Sequence, residues 1–593
     1  MLRSDSRWQS RSEAIGKAGF ASTGWRPPNL TCANGVLAVM DGCIYNREEL
    51  GDASCDAELL LRLYERHGFE AALRMINGDF AVAVYDPATD TAWLARDRFG
   101  IKPLYYTTNS ERFAFASRPR ALLRLSGVSP EVNRRYVGLF AGCHYRYFDN
   151  DQEASPYADI AQLPAATMLC LRKGSLTRAT YWALEDLPDF TASEADLAGA
   201  YRELLNDAVS LRLKSARRPI FTLSGGMDSS SVLASAVRIT GSRQHAVSTV
   251  YADETYDESG EIASMLDSTV EQWHRIEVDP PDVFALVPQM IAAHDEPVAT
   301  ATGLSHYVLC EEVSQRGFGG VFGGLGGDEL NAGEYEYFLY HFADLQAAGE
   351  EQLLQREVKM WMRHHDHPIF RKSHSVVAEG MSDLVDLSTL GRCLPDRRRL
   401  TRYAFALNPE YFDLEAFEPV MDHPFAGYLK NRTYQDMYRE PTPSCLRAED
   451  RQTAAFGLDN FLPFYDHRLS EFMYRVPGNL KIRDGVTKVL LREAMRGILP
   501  EETRTRIKKT GWNAPAHLWF SGTGREPLLD MVHSRAFRER GIYNVAEVER
   551  LIDDHERIVS SGVPEDNHMM FLWQLVNLEV WLSSLAGSQA GKA

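Results

Sequence analysis

The sequence predicts an α/β protein in two parts: a layered α+β domain of antiparallel strands, then a doubly wound parallel sheet with a helical C-terminal part. Three observations lead there. At 593 residues the chain is too long for one ordinary domain. Up to about Trp182, short β-type runs such as GVLAVMDGCIYN, FAVAVYD and TAWLARD are separated by turn residues. From about Ala192, strands and helices alternate at the pace of βαβ units.

Taken in order, AELLLRLYERHGFEAAL repeats its leucines at helical spacing and supplies the helical layer of the first domain, residues 1–185. EADLAGAYRELLNDAVSLRL opens the second domain, 192–585, as an amphipathic helix. PIFTL, AVSTVYA and HRIEVD then read as strands, and SSVLASAVRIT and SGEIASMLDS as the helices between them. After GFGGVFGGLGGDEL the chain reads as mainly helical, and the Gly/Ser-rich segment 586–593 as a frayed tail.

Composition narrows the function. With 64 basic against 82 acidic residues the net charge is −18, which argues against a nucleic-acid-binding surface. Eight cysteines without a CxxC pair read as reduced thiols, not a disulfide framework or a zinc site. The N-terminus carries no signal-peptide core, and no apolar run of about 18 residues stands out. The expectation is a cytoplasmic protein without membrane or nucleic-acid partners, with a homodimer left open.

The chemistry concentrates in FTLSGGMDSSSVLASA, residues 221–236. An apolar strand runs straight into SGG and then into a helix, so the turn lies at a strand's C-terminal end, where open α/β folds bind ligands. Glycines let backbone amides approach an anion, and the helix N-terminus favours negative charge. The loop has no GKS or GKT, so it suits a pyrophosphate that leaves as a unit better than a transferred phosphoryl group. Asp228 beside phosphates calls for a cation, normally Mg²⁺. A second turn, VFGGLGGDELNAG (321–333), carries Asp328 and Glu329. Adjacent turns of this kind suit one Mg²⁺ between Asp228 and Asp328.

These motifs resemble the asparagine synthetase B superfamily. SGGMDSS is similar to its pyrophosphate loop SGGxDS, and GGLGGDE to its SGEGSDE loop. RAEDRQTAAFGLDNFLPFYDHRL (447–469) and LKIRDGVTKVLLREAMRGILPEE resemble later family segments, while INGDFAVAVYD and LARDRFGIKPLYY resemble its glutaminase-type domain. The resemblance implies an N-terminal-nucleophile-hydrolase-like first domain and an adenine-nucleotide pyrophosphate-loop second domain. It implies that ATP and Mg²⁺ are used to adenylate a carboxylate, which an amine then attacks. By the same resemblance Ser224, Gly225, Gly226 and Ser229 hold phosphate oxygens, Leu223, Gly324 and Gly326 help bind the nucleotide, and Val250 lies on the strand lining the adenine. Asp228 and Asp328 hold the metal, and Lys488 neutralises developing charge.

The chain also departs from the family. Its glutamine-dependent members start Met-Cys, whereas this sequence reads Met1, Leu2, Arg3, and VNGEIYN becomes VMDGCIYN, with Asp41 and Cys43 in place of Asn and Glu. The first domain is therefore expected to be a degenerate glutaminase, as in lasso-peptide cyclases and β-lactam synthetases. Leu325 replaces the glutamate of SGEGSDE, Phe461 an arginine and Asp459 a glutamate. Together with Glu329 they are read as an altered substrate pocket for small-molecule or peptide carboxylates and amines. The expected function is an AMP-forming amide ligase. Asparagine synthetase proper, fed by ammonia or glutamine, and a non-catalytic scaffold remain as alternatives.

The other candidates have blander readings. The histidines of WMRHHDHPIF (361–370) read as a polar loop or helix end and Trp519 as packing. The Arg clusters RLKSARR and PDRRRLTR read as solvated faces, and ADETYDESGE (252–261) as a polar loop with a helix cap. HDEP (294–297) resembles a family segment near the active site.

Overall fold

The computed structural model describes residues 8–278, 282–367, 371–508, 514–563 and 565–590. Its first half is built on an antiparallel sheet in the spatial order Ser175–Thr180, Thr167–Arg172, Thr91–Arg96, Gly78–Asp86, Val36–Ile44, Leu30–Ala33. Alternation along Gly78–Asp86 splits its side chains between two cores. Phe80, Val82 and Val84 pack under helices Asp56–His67 and Phe69–Met75, while Ala81, Ala83 and Tyr85 meet Phe20 and Leu104 on the opposite side. The single helix expected from AELLLRLYERHGFEAAL is two. Gly68, at φ +83°, takes the positive φ that ends the first helix.

The second half holds a parallel sheet in the order Val270–Glu277, Gln244–Val250, Pro219–Thr222, Gly320–Phe322, Asp459–Phe461. Neighbouring side chains on each strand enter different cores. Ile220, Val247 and Val321 pack against one set of helices, and Phe221, Ala246 and Phe322 against the other. Strand order reverses at Pro219–Thr222, whose neighbours lead in opposite directions along the chain. The crevice of this sheet therefore opens between the ends of Pro219–Thr222 and Gly320–Phe322.

Helix Met569–Ala590 closes the described chain and includes the start of the segment expected as a tail. One stretch of it, Met569–Ala586, is long and apolar enough to cross a membrane, a run that the sequence reading passed over. Its Trp573, Leu575, Val576 and Trp581 are buried against protein, and the two indole N–H groups donate to Val298 O at 2.8 Å and Asp295 O at 3.2 Å. It is packed here as a core helix.

Buried ion pairs join the halves. Arg447, held by Glu296 of its own half (2.8 Å), reaches Asp149 (2.7 Å), Arg118 reaches Asp295 (2.8 Å), Lys102 reaches Asp450 (2.7 Å), and Arg26 forks onto Asp459. HDEP thus belongs to this seam. Arg212, expected on a solvated face, is instead buried over the Tyr45 ring (4.5 Å) and shares Asp466 with Asn77. Charges this deep need partners with good geometry, and each half supplies them to the other.

Candidate functional site

The crevice holds a cavity of about 230 Å³ lined by both glycine turns. Strand Pro219–Thr222 ends at the first turn, and helix Met227–Thr240 starts two residues after Gly225. Gly225 has φ +68°, and a Cβ there would collide with Glu261, so the position requires glycine on both counts. Gly226 caps the helix without a side-chain hydrogen bond, which leaves first-turn amides available to an anion. Ser224 and Ser229 hydroxyls lie 3.1 Å apart and brace the loop.

The second turn follows strand Gly320–Phe322 and opens helix Gly327–Asn331. A Cβ on Gly327 would strike the Asp228 carboxylate, so the two loops can interleave only because this residue is glycine. Lys488 completes the arrangement. Its Nζ bonds Asp228 and lies 2.8 Å from Asp328 Oδ1, and the side chain is almost fully buried. It sits at φ +60° before helix Val489–Ala494, a left-handed conformation that a non-glycine residue adopts at a cost.

Leu223, Ser224, Gly225, Gly226, Asp228, Ser229, Gly324, Leu325, Asp328 and Lys488 therefore line one cavity. Val250 and Gly326 do not. The strand presents Val247, Ser248 and Thr249 to the cavity, and Gly326 backs onto Tyr465. Glu329 also faces away. It is buried, accepts from Thr442 at 3.1 Å, and burial next to Asp328 pushes its carboxyl up to about 8. Asp459 and Phe461 do not line this cavity: Asp459 pairs with Arg26, and Phe461 stacks on Phe322 at 4.8 Å.

Sequence reasoning missed several lining residues: His306 and Leu309 on helix Thr302–Gln315, Glu449 on helix Pro441–Ala455, Asn460, Arg492 and Arg506. Arg506 donates to Gly225 O (3.0 Å) and Glu261 O (3.3 Å), holding the first turn. Burial draws Arg492 down to about 10. Glu258 and Glu261 of the acidic loop also reach the cavity.

Asp228 and Asp328 converge on one cation, the Lys488 ammonium, and two carboxylates so placed are a donor set that suits a divalent ion. Among the described residues no group of three or more His, Cys, Asp and Glu is placed to hold a metal alone. The described part of the histidine cluster fits its bland reading, since His365 bonds Gly485 O at 2.7 Å; residues 368–370 lie outside the described residues. Trp519 packs 5.9 Å from Trp573, and 509–513 of the segment before it lie outside the described residues.

A second cavity of about 1250 Å³ lies between the sheets of the first half and the seam, bordered by Asp41, Cys43, Lys102 and Asp459. Asn460 borders both cavities. Burial beside Asp56 pushes the Cys43 thiol up to about 12, and it donates to Ser215 Oγ at 3.4 Å.

Comparison with known proteins places these features. The pattern of the "Asparagine synthase" family matches residues 200–583, and that of a "Glutamine amidotransferase domain" matches 19–182. The glutamine-hydrolyzing asparagine synthetase 1 of Bacillus subtilis (strain 168) is 25% identical over 565 residues, covering 91% of this chain and 85% of that protein. Amidase chyE of Penicillium rubens is 25% identical over 84% of this chain and 80% of its own. A Methanocaldococcus jannaschii protein described as a putative glutamine-hydrolyzing asparagine synthetase 2 is 29% identical over half of this chain and 59% of its own.

Proposed function

Because the chain belongs to the asparagine synthase family, we propose that its cleft joins a carboxylate to an amine with ATP, releasing AMP and pyrophosphate. The observation that carries this reading is Lys488 held between the aspartates of the two glycine turns. The amides of Ser224 to Gly226 and the first turn of helix Met227–Thr240 suit the pyrophosphate oxygens. A carboxylate oxygen attacks the α-phosphorus, and the Pα–O bond breaks toward pyrophosphate. An amine then attacks the acyl carbon and expels AMP. Mg²⁺, bound by Asp228 and Asp328, supplies charge neutralisation when present. The Lys488 ammonium supplies fixed positive charge beside the phosphate loop, and in a mostly buried cleft that charge counts for more than in water.

In this reading the first domain does not hydrolyse glutamine. Cys43 supports this, since its thiol is held neutral and its bond goes to Ser215. A second reading, in which glutamine supplies ammonia, is favoured by the amidotransferase match at 19–182 and by the name of the Bacillus relative. Two assays decide. Pyrophosphate exchange into ATP, screened over carboxylates with aspartate first, should require Mg²⁺ and be lost in Asp228→Asn and Asp328→Asn; ADP as product defeats the proposal. Glutamate release from glutamine separates the two readings.

A further inference from the structure

The pyrophosphate site proposed above depends on which way one peptide faces. The peptide joining Gly225 to Gly226 has glycine on both sides, and neither residue brings a Cβ to restrict its rotation. A trans peptide points its C=O and its N–H in opposite directions. One orientation offers the Gly226 amide to an anion in the cavity; the other offers the Gly225 carbonyl oxygen, which repels it. Neighbouring groups are held from within the turn and its helix. Ser224 N donates to Ser229 Oγ at 3.3 Å, and Gly226 O accepts from Ser230 N at 3.2 Å. Gly225 O is held from outside.

Its donor is Arg506. Nη1 reaches Gly225 O at 3.0 Å and Glu261 O at 3.3 Å, and Nη2 reaches the same Glu261 O at 3.3 Å and Glu502 Oε1 at 3.4 Å. The guanidinium therefore bridges the turn to helix Ser259–Thr269, which a Cβ on Gly225 would strike at Glu261. The arginine is itself held in place. It follows helix Glu501–Thr505, where Thr503 Oγ1 lies 2.7 Å from Ser264 Oγ and Arg504 O accepts from Arg492 Nη1 at 2.6 Å. With Gly225 O drawn to Arg506, the Gly226 N–H points the other way, toward Ser224 Oγ at 3.4 Å. That bond is long and weak, so an anion oxygen can take its place.

Resting on the ligase reading, in which the first turn holds pyrophosphate, we infer that Arg506 is a positioning residue for that anion. It selects the peptide orientation that offers the Gly226 N–H to the cavity. Arg506 borders the cavity, but its hydrogen bonds run to protein oxygens and it acts on the anion through the peptide. A planar fork that spans two carbonyls suits this task, and a lysine, with one compact ammonium, does not reproduce it.

The test measures binding of radiolabelled pyrophosphate with Mg²⁺ by equilibrium dialysis, which needs no turnover, in the full chain and in Arg506→Lys and Arg506→Ala. Both variants should bind about tenfold more weakly, the usual contribution of a hydrogen bond to a charged group. Methylguanidinium should restore most of the affinity of Arg506→Ala and leave that of the parent protein unchanged. In the exchange assay the KM for pyrophosphate should rise in step, while the KM for the carboxylate stays near that of the parent protein. Parent-like affinity in Arg506→Lys would mean that the site needs a charge and not a fork, so that Arg506 touches the anion itself, and the inference would be wrong. Unchanged affinity in both variants, or an equal rise in both KM values as from a loosened fold, would overturn it as well. So would a parent protein that binds no pyrophosphate. Failure of the ligase reading looks different: pyrophosphate binds and its binding depends on Arg506, yet no carboxylate supports exchange, and the positioning role stands.

Discussion

Lys488 Nζ lies 2.8 Å from Asp328 Oδ1, and the lysine reaches that position from a left-handed backbone at φ +60°. Strain and charge can be separated at this residue. Lys488→Ala and Lys488→Gly should both lose AMP formation, because both remove the ammonium. The glycine variant should be about 1 kcal/mol the more stable of the two in urea unfolding, since only alanine keeps the left-handed penalty. An alanine variant equal to or more stable than the glycine variant would contradict the backbone assignment.

Mg²⁺ should raise the melting temperature of Lys488→Ala more than that of the parent protein. In the variant the Asp228 and Asp328 carboxylates face each other without the ammonium that otherwise occupies their cation position. Thermal shift with and without Mg²⁺ reads this directly. A smaller shift in the variant would speak against a shared metal position.

Asp459 tests the seam. Its fork with Arg26 is partly buried, so Asp459→Asn should cost about 1–3 kcal/mol of stability. The KM for ATP in pyrophosphate exchange should change less than twofold, because Asp459 does not line the nucleotide cleft. A tenfold change would return this residue to the substrate pocket that its sequence position suggested.

Lys481 gives a pH dependence. Its ammonium is buried over the Tyr474 ring at 5.2 Å without a hydrogen-bond partner among the described residues, and burial draws its pKa down from 10.5 to about 7. The folded state then binds fewer protons than the unfolded state between about pH 7 and 10.5, so this group makes stability rise with pH across that window. Lys481→Met should stabilise the protein at pH 7 by up to a few kcal/mol and flatten that rise. Denaturant melts at pH 7 and pH 9 measure it; a parallel offset at both would show that the lysine keeps its charge.

Cysteine reactivity should follow burial. Cys32 is exposed, while the Cys43 thiol is pushed up to about 12. Iodoacetamide at pH 8 should label Cys32 well before Cys43, as peptide mass spectrometry can show. Faster labelling of Cys43 would reopen the case for a reactive thiol in the large cavity.

The two glycine turns were legible because each is local, an apolar strand followed at once by glycines and an acid. Lys488 was legible through its motif. His306 and Glu449 were not, because they lie on two helices far apart in the chain and only tertiary packing joins them to the same cavity. Leu325 and Phe461, read together as one pocket, do not line the same cavity, for a reason of register. Phe461 pairs with Phe322 inside the sheet, whereas residue 325 lies past the strand's end, over the cleft. Arg212 misled because charge clusters usually mean solvent, and nothing near it in sequence announces Asp466.

The seam bears on how such a protein can change over generations. Asp450 and Asp459 of the second half have their charges answered by Lys102 and Arg26 of the first. Deleting the first half would remove those partners and expose to water the apolar side chains of the second half that pack with Tyr45, Phe99 and Ile101. Selection would therefore preserve residues 19–182 as the other face of a shared core even in a lineage that had no further use for their chemistry. Their persistence in a genome is not by itself a sign that they still act on glutamine.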